Sequence, residues 1–142
     1  MYQNILLTVD LNDEASWAKA LPAAIGEAKA PGATLHVVSI VPDFGVSMVG
    51  SFFPDDFEEK ALAETREKLA AFCAENVPSE IEAKNIVRHG NVYKEILEIA
   101  GEIGCDLIVI GAHRPALKDY LLGPNAARVV RHANCSVLVV RD

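Results

Sequence analysis

Short, nearly uninterrupted apolar runs alternate along this chain with segments whose apolar residues recur every three to four positions. No other feature of the sequence constrains the fold as tightly. The strand-like runs are Asn4-Ile-Leu-Leu-Thr-Val9, Thr34 to Val41, a weaker stretch from Ile81 to Arg88, Leu107-Ile-Val-Ile-Gly111, and Val137 to Val140. Continuous rather than alternating hydrophobicity predicts strands covered on both faces. Between them, Trp17, Ala18, Leu21, Ala24, Ile25 and Ala28 predict a helix from Asp13 or Glu14 to Lys29, stopped by Pro31-Gly32. Pro22 falls inside that segment and predicts a kink. A second helix opens at Pro54-Asp55-Asp56 and carries Phe57, Ala61, Leu62, Leu69, Phe72 and Cys73 inward as far as Asn76. Asn91 is a natural cap for a third, striped by Val92, Ile96, Ile99, Ala100 and Ile103 and ended by Gly104. A fourth runs from Gly123-Pro124 to His132 or Ala133.

Helical crossovers between successive strands produce parallel pairs, and their right-handedness leaves few sheet orders. The expected fold is α/β, a doubly wound five-stranded parallel sheet of order 3-2-1-4-5, with residues 1–142 forming one domain. Strands one and four then lie side by side at the switch point, and ligands of such sheets bind beyond the carboxyl ends of the strands there. That places Thr8, Val9 and Asp10, Ile40, and Ile110 with Gly111 and its successors at the expected site. The last strand, Val137, Leu138, Val139 and Val140, becomes an apolar edge open to a second chain.

The chain carries a net charge of −7, unevenly placed: residues 1–107 hold 8 basic and 18 acidic side chains, residues 108–142 hold 5 and 2. An acidic chain argues against nucleic acid as a partner, while the basic C-terminal quarter leaves room for a small anion bound locally. No apolar run reaches the roughly 18–20 residues of a membrane span, and no secretory leader opens the chain, so a cytoplasmic location without membrane association is expected. Cys73, Cys105 and Cys135 are odd in number and widely spaced, with no Cys-x-x-Cys, which predicts reduced, mostly buried thiols and no metal site.

The segment from Ile110 to His132 carries the candidate chemistry. Gly111 at the tip of a central strand lets a ligand approach the backbone, or simply makes a tight turn. Gly123 opens a helix whose free amides and dipole suit a phosphate, or only starts that helix. His113 and Arg114 are phosphate contacts or solvated loop residues. Asp10, after the first strand, is a ligand contact or a loop acid capping the next turn. Arg128 and Arg131 share a helix side and fit a solvated surface or a partner contact better than catalysis. His36, between apolar neighbours, reads as a structural histidine. Phe44, Phe52 and Phe53 sit in a long connection and either cover a ligand or pack locally. Motifs of P-loop nucleotidases, serine hydrolases, zinc proteases and dithiol redox proteins are absent. No residue is an evident base for ATP hydrolysis, so the sequence leans away from an enzyme, with weak ATPase activity as the remaining catalytic option.

The run His113-Arg114-Pro115, Tyr120-Leu121-Leu122-Gly123, Asn125-Ala126-Ala127 and Val129-Val130-Arg131-His132-Ala133 resembles the C-terminal signature of the universal stress protein family. It resembles especially the family's shorter F/G-type bacterial members. The resemblance extends to Val9-Asp10, the strand at 34–41, His89-Gly90 and the closing Val137 to Val140, covering nearly the whole chain. It implies a Rossmann-like, adenine-nucleotide α-hydrolase-like fold and a homodimer joined at the last strand. Family members bind adenine nucleotide through a Gly-x2-Gly-x9-Gly-Ser/Thr pattern, to which Gly111 and Gly123 correspond as first and third glycines. By the same resemblance Val9 and Asp10 line ribose and adenine, and Ile40 offers its backbone to the adenine edge. Arg114 replaces the second glycine, the spacer Pro115 to Leu122 is one residue shorter, and Pro124 replaces the hydroxyl residue. Pro124 has neither a hydroxyl nor an N–H, which leaves the amides of Asn125 and Ala126 and the Asn125 side chain as donors.

Two kinds of function follow. One is a stress-response sensor or regulator that binds AMP, ADP or ATP, with or without Mg2+. The other is a dimeric protein-interaction module on the same fold whose nucleotide site has decayed, with protein partners the sequence does not name.

Overall fold

The computed structural model describes residues 1–42, 57–112 and 123–141. Along these run β1 (Asn4–Thr8), a single 3-10 turn (Glu14–Ser16), α1 (Ala20–Ala28), β2 (Thr34–Pro42), α2 (Phe57–Asn76) and β3 (Ala83–Gly90). They are followed by α3 (Val92–Ile103), β4 (Leu107–Gly111), α4 (Pro124–His132) and β5 (Ser136–Val140). The five strands form one all-parallel sheet of order β3-β2-β1-β4-β5, as the alternation predicts.

The sheet is covered on both sides, which explains its unbroken apolar runs. On one face Leu7, Leu35, Val37 and Val109 pack with Ala24 of α1 and with Leu69 and Phe72 of α2. On the other, Leu6, Val38, Ile108 and Ile110 meet Ile96 and Ile99 of α3 and Ala126 and Val129 of α4. Adjacent residues of β1 therefore face separate cores, and Ile5, Leu6 and Leu7 are all fully buried. Truncating any of them to alanine costs about 2–5 kcal/mol.

The structure departs from the sequence expectation at α1. The helix begins at Ala20 rather than Asp13 or Glu14. Proline lacks an N–H and its ring collides with the carbonyl four residues earlier, so it is accommodated where the helix starts. With Ala20 as the first residue, Pro22 lies in the first turn. The preceding 3-10 turn is capped by Asp13, whose side chain accepts from the Ala15 amide. At β3 the strand sits about two residues later than expected, because Ile81 is buried before the edge strand begins and residues 82–85 are exposed. The start of the second helix at Pro54-Asp55-Asp56, and Phe44, Phe52 and Phe53, lie outside the described residues.

Asp106 ties the amino end of the sheet together. Its carboxylate accepts from the backbone amides of Gln3 (2.8 Å) and Asn4 (2.9 Å), while its own amide donates to the Asn4 carbonyl (3.0 Å). All three cysteines are free thiols; Cys73 is buried, and Cys105 and Cys135 are half-buried. Burial pushes the Cys73 thiol up to about 11. Among the described residues no helix is long and apolar enough to cross a membrane.

His36 is buried, as expected of a structural histidine, with Nε2 3.4 Å from the Asn4 side-chain oxygen and no partner at Nδ1 among the described residues. Burial, helped by Lys84 and opposed by Glu82, holds its pKa below the usual 6.5. As pH falls through 6.5 the unfolded chain takes up a proton that the folded chain refuses, so stability falls with it. Denaturant midpoints of the wild type should therefore decline between about pH 7.5 and pH 5.5, and less steeply for His36→Gln. Equal slopes for the two proteins would assign the decline to other groups.

Candidate functional site

β1 is the centre of the sheet, and its neighbours carry the chain away on opposite faces. A cleft of about 420 Å³ opens at the resulting divide, beyond the carboxyl ends of β1, β2 and β4. Ten of the twelve residues expected at a ligand site line it: Thr8, Val9 and Asp10 from β1 and its exit, Ile40 from β2, Ile110 and Gly111 from β4, and Gly123, Pro124, Asn125 and Ala126 at the start of α4. His113 and Arg114 lie outside the described residues.

The polar character of this cleft is largely backbone. β1 pairs with β2 as far as Thr8 and Val38, whereas β2 continues against β3 to Pro42. The Val38 carbonyl accepts from the Val9 amide at 2.9 Å, so it faces the β1 side. Backbone groups of a strand alternate sides with each residue, so the N–H and C=O of Ile40 face the same way, past the end of β1 and into the cleft. At the other wall Gly123 is an extended N-cap (φ −63°, ψ 156°) with no side-chain cap, and Pro124 occupies the first turn without an N–H. The amides of Asn125 and Ala126 precede the first intrahelical bond, Ala127 N–H to the Gly123 carbonyl (2.9 Å), and point out of the helix start. Together with the dipole they form a small electropositive spot.

Asp10 both lines the cleft and shapes it. One of its carboxylate oxygens accepts from the Asn12 amide at 3.0 Å, as a loop acid would. Its amide donates to the Ser16 hydroxyl (3.0 Å), and that hydroxyl donates to the Asp13 carbonyl (2.7 Å). The connection from β1 to α1 is thus braced by its own hydrogen bonds, and the second carboxylate oxygen has no hydrogen-bond partner among the described residues.

Gly111 does more than admit a ligand or turn the chain. A Cβ built there would lie 2.4 Å from the Ser16 carbonyl oxygen. The missing side chain lets the β1–α1 connection cross directly over the tip of β4, which closes one side of the cleft with backbone. Ser16 accordingly lines the cleft as well.

Sequence reasoning missed the wall supplied by α2. Thr65 and Lys68, one turn apart, face the cleft, and Thr65 donates its hydroxyl to the Ala61 carbonyl at 2.7 Å. Lys68 is exposed and has no ion pair among the described residues; with Asp10 it makes up the charged lining. Helical spacing marks which residues share a face, but only the packing of α2 reveals that its solvent flank borders the switch point. Val92 and Ile96 of α3 form an apolar floor. Arg128 is turned away, its guanidinium 5.0 Å over the Tyr93 ring, which also stacks with His132. Arg131 is exposed and outside the lining.

A family model described as the universal stress protein family matches residues 1–141. The chain belongs to the universal stress protein family. It is 35% identical over 143 residues to Universal stress protein G of Escherichia coli O157:H7, covering 99% of this chain and 100% of that relative. Its fold matches universal stress protein UspA from Lactobacillus plantarum with a TM-score of 0.72 and 28% identity, covering 99% and 98% of the two chains. It also matches a universal stress protein from Archaeoglobus fulgidus solved in complex with dAMP, with a TM-score of 0.62, 23% identity and 97% of each chain covered.

Replacing Gly111 by alanine should force the Ser16 carbonyl aside and cost about 1–3 kcal/mol, the usual range for overpacking. Because Trp17, the single tryptophan, follows Ser16 and meets Phe72 edge-on at 4.8 Å, its emission should shift in the folded variant. Unaltered stability and emission would show that the crossing tolerates a side chain.

Proposed function

We propose that this stress protein binds an adenine nucleotide in the cleft and serves as a cytoplasmic sensor or regulator whose state follows nucleotide occupancy, with residues 1–142 acting as one domain. The backbone of Ile40 carries the reading. A donor and an acceptor from one residue, facing past the end of β1, complement the acceptor and donor along the edge of an adenine ring. Val92, Ile96 and Ile110 offer an apolar bed for its faces, Asp10 a carboxylate for ribose hydroxyls, and Asn125 and Ala126 two amides for a phosphate. Lys68 adds a cation on the opposite wall. The dAMP complex of the Archaeoglobus fulgidus relative points in the same direction.

Phosphate grip is the limited part. With Pro124 in place of a hydroxyl residue, the described start of α4 has only the two amides and the Asn125 side chain to offer. A nucleoside monophosphate suits that donor set better than a triphosphate. Among the described residues no group of three or more His, Cys, Asp or Glu could hold a metal, so Mg2+ would enter with the phosphates of a longer nucleotide rather than occupy a protein cage. The same loss of donors at Pro124 favours, as a second reading, a regulatory dimer without nucleotide.

Calorimetry with AMP, ADP and ATP separates the two. Binding of at least one nucleotide is expected, weakened about tenfold to a hundredfold in Asp10→Ala, the scale of a lost charge-assisted hydrogen bond. No heat with any of the three, and no nucleotide released on denaturing the purified protein, would defeat the first reading.

Assembly follows from β5, which pairs with β4 on one side only. Leu138 is exposed, and Val137, Val139 and Val140 are half-buried, so an apolar strand edge is open to a second copy. A homodimer joined along Val137 to Val140 is the partner this edge suits. Leu138→Pro should convert the dimer to a folded monomer in light scattering. An unchanged mass in solution would place the interface elsewhere.

A further inference from the structure

The end of the sheet remote from the cleft carries a pair of thiols. Leu107 of β4 pairs with Ser136 of β5; Cys135 immediately precedes β5, and Cys105 lies two residues before Leu107, one step out of register with Cys135. Both pack against the core shared by α3 and α4. The Cys105 Sγ donates to the Leu107 carbonyl at 3.1 Å, and the two thiols are near enough to perturb each other's ionisation. Strands about 4.8 Å apart and a one-residue offset of about 3.3 Å put the two Cα atoms roughly 6 Å apart, within the roughly 4.4–6.8 Å between the Cα atoms of half-cystines. Both residues are half-buried, open enough for a small reagent, whereas Cys73 is buried on the opposite face of the sheet.

We infer that Cys105 and Cys135 are a redox modification site, forming a reversible intramolecular disulfide with a small oxidant of the glutathione-disulfide class. The Cys135 thiolate attacks one sulfur of the oxidant, whose S–S bond breaks; one small thiolate leaves and takes a proton. Cys105 then gives up its proton and attacks the Cys135 sulfur, expelling the second small thiol. Two protein thiols are oxidised and one small disulfide is reduced to two thiols, a balanced two-electron exchange.

The order follows from the surroundings. Burial pushes the Cys105 thiol up to about 12, with Cys135 and Asp106 adding to the rise. Burial also raises Cys135, opposed by the neighbouring Cys105 and helped by Asp106. Cys135 therefore ionises first and Cys105 resolves. Protonated thiols react slowly, so exchange is slow at neutral pH and faster in alkali. The bond would join the starts of β4 and β5 and close the loop that contains α4, one wall of the cleft.

Native protein is incubated with excess glutathione disulfide in mildly alkaline buffer, and its intact mass and digest are read by mass spectrometry. The expected product is lighter by two hydrogens, yields a linked Cys105–Cys135 peptide, and reverts with a dithiol reductant. Cys105→Ser should instead stop at a stable glutathione adduct on Cys135. A wild type that also stops at an adduct, that modifies Cys73 first, or that does not react would overturn the inference. None of these outcomes depends on nucleotide binding.

Discussion

The central position of β1 governs the rest of the molecule. Paired with β2 on one side and β4 on the other, it buries consecutive residues in two separate cores. Right-handed crossovers from a strand so placed must leave on opposite faces, and the gap between them cannot be filled by either connection. The cleft is thus a consequence of topology before any residue specialises it. Gly111 then makes the arrangement tight, because the Ser16 carbonyl takes the space that a Cβ would occupy. A glycine that the sequence offers to a ligand is needed first by the protein's own backbone. The two uses are compatible: the crossing brings Asp10 and Ser16 to the rim, where the braced loop holds a carboxylate in place at little entropic cost on binding.

Much of this was legible in the sequence, for physical reasons. Strands buried on both faces have to be apolar at every position, so runs such as Leu107 to Ile110 announce themselves, and alternation with helices dictates parallel order. Asn91 and Gly104 mark the ends of α3 because unsatisfied backbone groups and a left-handed residue (φ 63°) demand those residue types. The start of α1 was misread because the apolar spacing of Trp17 and Ala18 continues into the 3-10 turn and its exit, and periodicity alone does not register where Pro22 forces the helix to begin. Lys68 and Thr65 were invisible for a different reason: their part in the cleft depends on the angle at which α2 crosses the sheet. Asp106, an unremarked acid before a strand, has its role through amides more than a hundred residues earlier, a contact no local pattern encodes.

The two ends of the sheet divide the chemistry. At the carboxyl end, backbone groups and a few polar side chains converge on a cleft, where Pro124 brings no N–H to the start of α4. At the amino end, Asp106 ties β1 to β4, and beside it stand the free thiols of Cys105 and Cys135. β4 runs from one region to the other in five residues, almost all of them buried.

The central claim is that the carboxyl end of β1, β2 and β4 receives an adenine nucleotide through the Ile40 backbone and the start of α4. Amide chemical shifts followed by NMR during titration with AMP test it residue by residue. The account predicts saturable shifts at Asp10, Ile40, Asn125 and Ala126, with Ser136 to Val140 little changed. Shifts confined to β5 or the amino end of the sheet, or none at saturating nucleotide, would contradict it.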